Sequence, residues 1–157
     1  MVIANIVPSA GGFVTLLEAF RPSGGTAPAE VLSGLLADRQ DVQDVQLGRL
    51  SALVRSDEIF GFNWRNGTWI PMFQFDADGR SISLAPRSVR ALLPVAWSGW
   101  TVATWFTLPN DRLKGARPID MLTLDPVAVT RCAEYSCAAA ETKYRSMGKL
   151  HEVALHR

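Results

Sequence analysis

Apolar residues along this chain change their spacing from one segment to the next, and each change marks an element. A short apolar run, Phe13 to Phe20, leads into Arg21-Pro22-Ser23-Gly24-Gly25, a turn-forming cluster that ends it. Thr26 then offers an N-cap side chain, with Pro28 and Glu30 in the first turn of a predicted helix reaching about Asp38. Val31, Leu32, Leu35 and Leu36 give it an amphipathic face. Val42, Val45, Leu47, Leu50, Leu53 and Val54 predict a second helix, from near Asp44 to just before Asp57.

From Glu58 the period shortens. Ile59, Phe60, Phe62 and Trp64 lead into Arg65-Asn66-Gly67, and Thr68, Trp69, Ile70, Met72, Phe73 and Phe75 follow. Asn-Gly between two aromatic and β-branched runs predicts a hairpin, because both residues tolerate positive φ. Pro71 is expected at an edge or bulge, since it cannot donate to a ladder. Asp76-Ala77-Asp78-Gly79 lacks the further ligands and closing glutamate of a calcium loop and reads as a polar turn. The rest is predicted helical: Ser88 to Leu93, Gly99 to Leu108, a short turn from Arg117 to Thr123, and a longer helix from Asp125 or Pro126 into the Glu141 region. On that last helix Val129, Cys132, Ala133, Ser136, Cys137 and Ala140 form a face of small side chains suited to close packing. Beyond Tyr144 the chain is basic and polar, and a mobile tail is expected.

The expected fold is therefore α+β, mostly helical with one β-hairpin. Residues 1–80 would form a small unit of helices plus hairpin, joined near Asp76 to Ser83 to a helical unit over 81–157. Phe60, Phe62 and Trp64 crowd one strand. A two-stranded hairpin offers them one helical layer, so surplus aromatic surface from Trp69, Phe73 or Phe75 predicts a homodimer through the N-terminal unit.

Composition narrows the function classes. With 48% hydrophobic and 20% charged residues over 157 positions, a packed core is expected. A formal charge of +1 provides no whole-chain field to draw in nucleic acid or an anionic membrane. The uncharged stretch from Arg90 to Asp111 is interrupted by Pro94, Ser98 and Gly99, which favours a buried helix over a membrane span. Pro8, Gly11 and Gly12 break up the N-terminal run, so no signal peptide is read and a cytoplasmic protein is expected. Cys132 and Cys137, five apart on a helix, point roughly 140° apart, which disfavours a disulfide or a shared metal.

No residue set argues for catalysis. His151 and His156, the only histidines, lie in the basic tail. Ser23-Gly24-Gly25 lacks the lysine and hydroxyl residue of a phosphate loop, Gly11-Gly12 has no dinucleotide fingerprint around it, and the carboxylates from Asp38 to Glu58 are spaced as on a solvated helix. A non-enzymatic protein without cofactor or metal is expected. Five tryptophans suit core packing, or an interface anchor if one is exposed.

The stretch Trp105-Phe106-Thr107-Leu108-Pro109-Asn110, then Leu113-Lys114-Gly115-Ala116-Arg117-Pro118-Ile119-Asp120-Met121-Leu122 and Asp125-Pro126-Val127-Ala128-Val129, resembles the toxin-binding domain of bacterial Xre/MbcA/ParS-type antitoxins. The likeness covers about the last third of the chain. It departs at Ala116, where a second glycine is common, and at Leu124-Asp125-Pro126, where a glycine is usual. It implies a cognate RES-type toxin as partner, and Trp105, Asn110, Arg112, Lys114 and Arg117 are the expected contacts, since an exposed loop with two or three cations could approach an acidic or nucleotide-binding cleft. The N-terminal part looks like a reduced winged helix, which implies an operator-DNA alternative through Arg49, Arg55, Arg65 and Asn66. Against that alternative, the segment from Asp38 to Glu58 has three arginines and five carboxylates, a local charge of −2 where phosphate contact favours the opposite sign.

Overall fold

A computed structural model describes residues 7–37, 43–77, 79 and 81–154; side chains are described within these ranges except at 35–37, 43–47 and 146–154. The apolar face assigned to Leu35, Leu36, Val42, Val45 and Leu47, and the roles of Asp38, Asp78 and His156, lie outside the described residues.

The first helix, α1 (Ala10–Phe20), begins where the Ser9 side chain accepts a hydrogen bond from Gly12 N at 3.1 Å. It ends in a single-turn 3-10 helix, Arg21–Ser23, closed by Gly24 in the left-handed region. Thr26 does not cap a helix as expected. It opens a strand, β1 (Thr26–Pro28), and α2 (Ala29–Ala37) starts three residues later than Thr26. After α3 (Gln43–Arg55) come β2 (Phe62–Trp64) and β3 (Gly67–Pro71). The sheet is antiparallel with order β1-β3-β2, so the predicted hairpin gains a third strand. Register pairs Phe62 with Trp69, Trp64 with Gly67, Ala27 with Ile70 and Thr26 with Pro71. The turn therefore consists of Arg65 and Asn66, and the positive φ, 53°, falls on Arg65 and not on Gly67.

Alternation along the strands sends their side chains to two faces. On one face Phe62, Trp64 and Trp69 meet Phe13 of α1, with ring centroids 6.4, 5.1 and 5.0 Å away. On the other, Ile70 joins Leu32 of α2, Leu50 of α3 and Ile59 in a separate, smaller core. Both faces are thus covered within one chain. Two of the aromatic residues that motivated the homodimer expectation find partners within the chain: Trp69 packs on Phe13, and Phe73 stacks on Phe20 at 5.8 Å.

The C-terminal helices are α4 (Leu84–Leu92), α5 (Gly99–Thr107), α6 (Pro118–Met121) and α7 (Pro126–Ala154). α4 starts four residues before the expected Ser88, with Pro86 in its first turn, where a missing N–H costs nothing. Ser98 Oγ caps α5 by accepting from Thr101 N at 3.2 Å, and Asp125 Oδ1 accepts from Ala128 N at 3.0 Å at the start of α7. α7 continues to Ala154, so residues 145–154 are helical where a mobile tail was expected.

The main core draws on both sides of residue 80. Phe20, Phe60 and Phe62 pack with Trp100, Phe106 and Val129 in one cluster, so the expected boundary between 1–80 and 81–157 does not divide two cores. One close fit joins its halves and a second braces the N-terminal one. The N-terminus of α5 lies against β2, where Trp100 Nε1 donates to Asn63 O at 2.7 Å. Gln74, 2% exposed, accepts from Phe60 N at 2.7 Å and donates to Phe60 O at 2.9 Å, serving a backbone unit that has no strand beside it. Among the described residues no helix is long and apolar enough to cross a membrane.

Candidate functional site

Pro109 cannot extend α5, and the chain from Leu108 to Arg117 reverses through a compact loop around the 3-10 turn Asp111–Leu113. Asn110 organises it. Its carbonyl accepts from Leu113 N at 2.9 Å and Gly115 N at 3.0 Å, its N–H donates to Ala116 O at 3.0 Å, and its Oδ1 accepts from Arg112 N at 3.0 Å. Lys114 and Gly115 then take left-handed φ values of 56° and 84° in succession, which completes the reversal. Glycine is at ease there; a lysine is not.

The five residues assigned to partner contact occupy different environments. Arg112 and Lys114 are exposed, and Arg112 lies over the Tyr135 ring, 3.3 Å from its centroid. The sequence did not single out Tyr135. Its signal was its place on α7, three residues past the inward-facing Cys132 and half exposed. Asn110 is half-buried and spent on the loop itself. Arg117 is pinned: its guanidinium donates to Asp120 at 2.6 and 2.7 Å and to Ala19 O at 3.3 Å, so it ties the loop to α1. The hydrogen bond to Asp120 pushes the Arg117 pKa up. Trp105 is not on the surface at all. It is 2% exposed, and its indole N–H donates to Ser136 Oγ at 3.0 Å, fixing α5 to α7. Trp105 therefore corrects the expected contact set: a partner can feel it only through the helices it holds.

Beneath the loop, the Cys132 thiol faces Asn110 Oδ1 at 3.9 Å. Burial pushes this thiol's pKa up, and nearby Arg112 opposes the shift. On α7, Arg131 is exposed and has no carboxylate partner among the described residues. Of the expected contact residues, Arg112 and Lys114 are exposed on this loop, with half-exposed Tyr135 of α7 beside them.

The second set, Arg49, Arg55, Arg65 and Asn66, is exposed throughout. Arg49 and Arg55 stand on α3, and Arg65 and Asn66 form the β2–β3 turn, so two elements supply them. None of these arginines is ion-paired among the described residues. No three His, Cys, Asp or Glu residues among those described are grouped to hold a metal. Comparison of the chain with protein families, characterised proteins and solved structures finds no match.

Proposed function

We propose that this chain is an antitoxin-like, non-catalytic binding protein that grips a partner protein of the RES-toxin kind through the loop 108–117 and the adjoining face of α7. The observation that carries the reading is the construction of that loop. Four hydrogen bonds to Asn110, with Lys114 N donating to Asp111 O and Ala116 N to Leu113 O, hold its backbone, so the segment that carries Arg112 and Lys114 has less conformational freedom to lose on binding. Arg112 stacked on Tyr135 is the kind of cation–aromatic pair that anchors interfaces.

The test is co-expression with the neighbouring open reading frame. The neighbour should arrest growth alone, and this chain should rescue growth and co-purify with it. Lys114→Gly separates binding from folding, because glycine suits the left-handed backbone while the charge is lost. It should weaken capture and leave thermal stability equal or higher. A neighbour that is harmless alone and not retained by this chain removes the reading.

A second reading, operator-DNA binding, is favoured by one observation. The order β1, α2, α3, β2, β3 with sheet order β1-β3-β2 agrees with the connectivity of a winged helix; on that reading α3 would be the recognition helix and Arg65-Asn66 the wing. α1, however, packs on the opposite sheet face from α2 and α3. A gel shift with the upstream DNA at two salt concentrations decides it: phosphate contacts make affinity fall steeply with salt, and no shift at low salt rejects it.

A further inference from the structure

The α2–α3 layer is attached to the rest of the molecule in two ways. One is apolar: Leu32, Leu50, Ile59 and Ile70 form a core of their own, separate from the main cluster around Phe20, Phe62 and Phe106. The other is ionic. α3 ends at Arg55, and Asp57 follows with a left-handed φ of 56°. The carboxylates of Asp57 and Glu58 are both taken by arginines one turn apart on α4. Arg87 Nη2 stands 3.0 Å from Glu58 Oε2, and Arg90 Nη2 donates to Asp57 Oδ1.

The two pairs are unequal. Arg87 is half exposed, whereas the Arg90 side chain is 7% exposed and its Nε has no hydrogen-bond partner among the described residues. Guanidinium stays charged at any physiological pH, and a buried charge is tolerated only while its counter-ion is in place. Arg90 is therefore committed to Asp57. Withdrawing that carboxylate favours any movement that lets the guanidinium reach water, and the element joined to the carboxylate is the end of α3.

We propose that Arg87 and Arg90 form an ionic latch by which α4 holds the α2–α3 layer closed on the sheet, and that releasing it exposes the Ile59 and Ile70 face as a unit while the main core stays folded. The opened layer presents an apolar surface that the closed chain hides, governed by two arginines about 30 positions beyond the end of α3. Small satellite cores of this kind open below the global unfolding threshold.

Asp57→Asn isolates the charge, because asparagine accepts the left-handed backbone at least as well as aspartate. Hydrogen exchange of the full chain, read by peptide, should show α2 and α3 exchanging faster than α5 in the wild type. Asp57→Asn should accelerate α2 and α3 about tenfold further, a loss tempered by the partial exposure of Asp57, and leave α5 unchanged. If Asp57→Asn does not fold, Glu58→Gln, at the more exposed pair, should still accelerate α2 and α3 by about twofold. A single exchange rate shared by α2, α3 and α5, or acceleration of all three together, overturns the latch, as does an α2–α3 rate that neither substitution changes.

Discussion

Gly99 is where α5 comes closest to the sheet, and alanine there sets two effects against each other. In an open helix the change is favourable by up to about 1 kcal/mol. Here an added Cβ would overlap the Gly61 carbonyl oxygen, lying 2.8 Å from its carbon and 3.2 Å from Phe62 Cα. The neighbours are backbone, so the helix end has to retreat by about 1 Å or more to restore normal contact. That movement breaks the 2.7 Å hydrogen bond from Trp100 Nε1 to Asn63 O, worth about 1 kcal/mol. It also opens the edge-to-face contacts of Trp100 with Phe62 at 5.4 Å and Trp64 at 6.0 Å, each about 0.5–1.5 kcal/mol. With strain from overpacking added, the net loss is about 3 kcal/mol, a large part of the ~5–15 kcal/mol that holds a domain together. Urea unfolding followed by tryptophan fluorescence should show the midpoint lowered by about 1–3 M at typical m-values. Gly11→Ala on α1, where an added Cβ meets nothing within 4 Å, should raise stability by about 0.5–1 kcal/mol. A Gly99→Ala midpoint equal to or above wild type would refute the close-approach argument.

Gln74→Ala should cost about 3 kcal/mol in the same assay, because it strips both partners from the buried Phe60 backbone unit; a change under about 0.5 kcal/mol would mean that water replaces the amide. Arg65→Gly should stabilise by about 0.5–1 kcal/mol by relieving the left-handed φ at the hairpin turn, and an unchanged or lower melting temperature would contradict that geometry. For the thiols, Cys137 should react readily with an aromatic disulfide reagent in the native protein, whereas buried Cys132 should react only on unfolding. Because burial raises the folded Cys132 pKa, the unfolded chain ionises first. Its contribution is present below the ordinary thiol pKa and lost as pH rises from there toward the folded value. Cys132→Ala should flatten that alkaline slope, and an identical slope in both proteins would count against the burial effect.

Elements defined by their own spacing were readable from the chain. Asn66-Gly67 between aromatic runs placed the hairpin, the Gly99-to-Leu108 run placed α5, and Asp125-Pro126 placed the start of α7. In each, the signal lies within a few residues and its effect is local: a cap, a turn, an alternating face. What the chain could not disclose was which face meets which. Thr26 offers a plausible cap and became a strand residue because Pro71, 45 positions later, lies opposite it. Trp105 carries the features of an anchor, but Ser136 on α7 takes its N–H and the core closes over it. Arg117, expected at a partner, is tied to Ala19 O, 98 positions earlier, and Arg90 is buried against Asp57 on another segment. Even the positive φ of the hairpin moved one residue, to Arg65, once the register was set by pairing along both strands. Periodicity tells a side chain which side of its own element it occupies; its burial and its partner depend on the elements packed against that side, which contacts between distant segments decide.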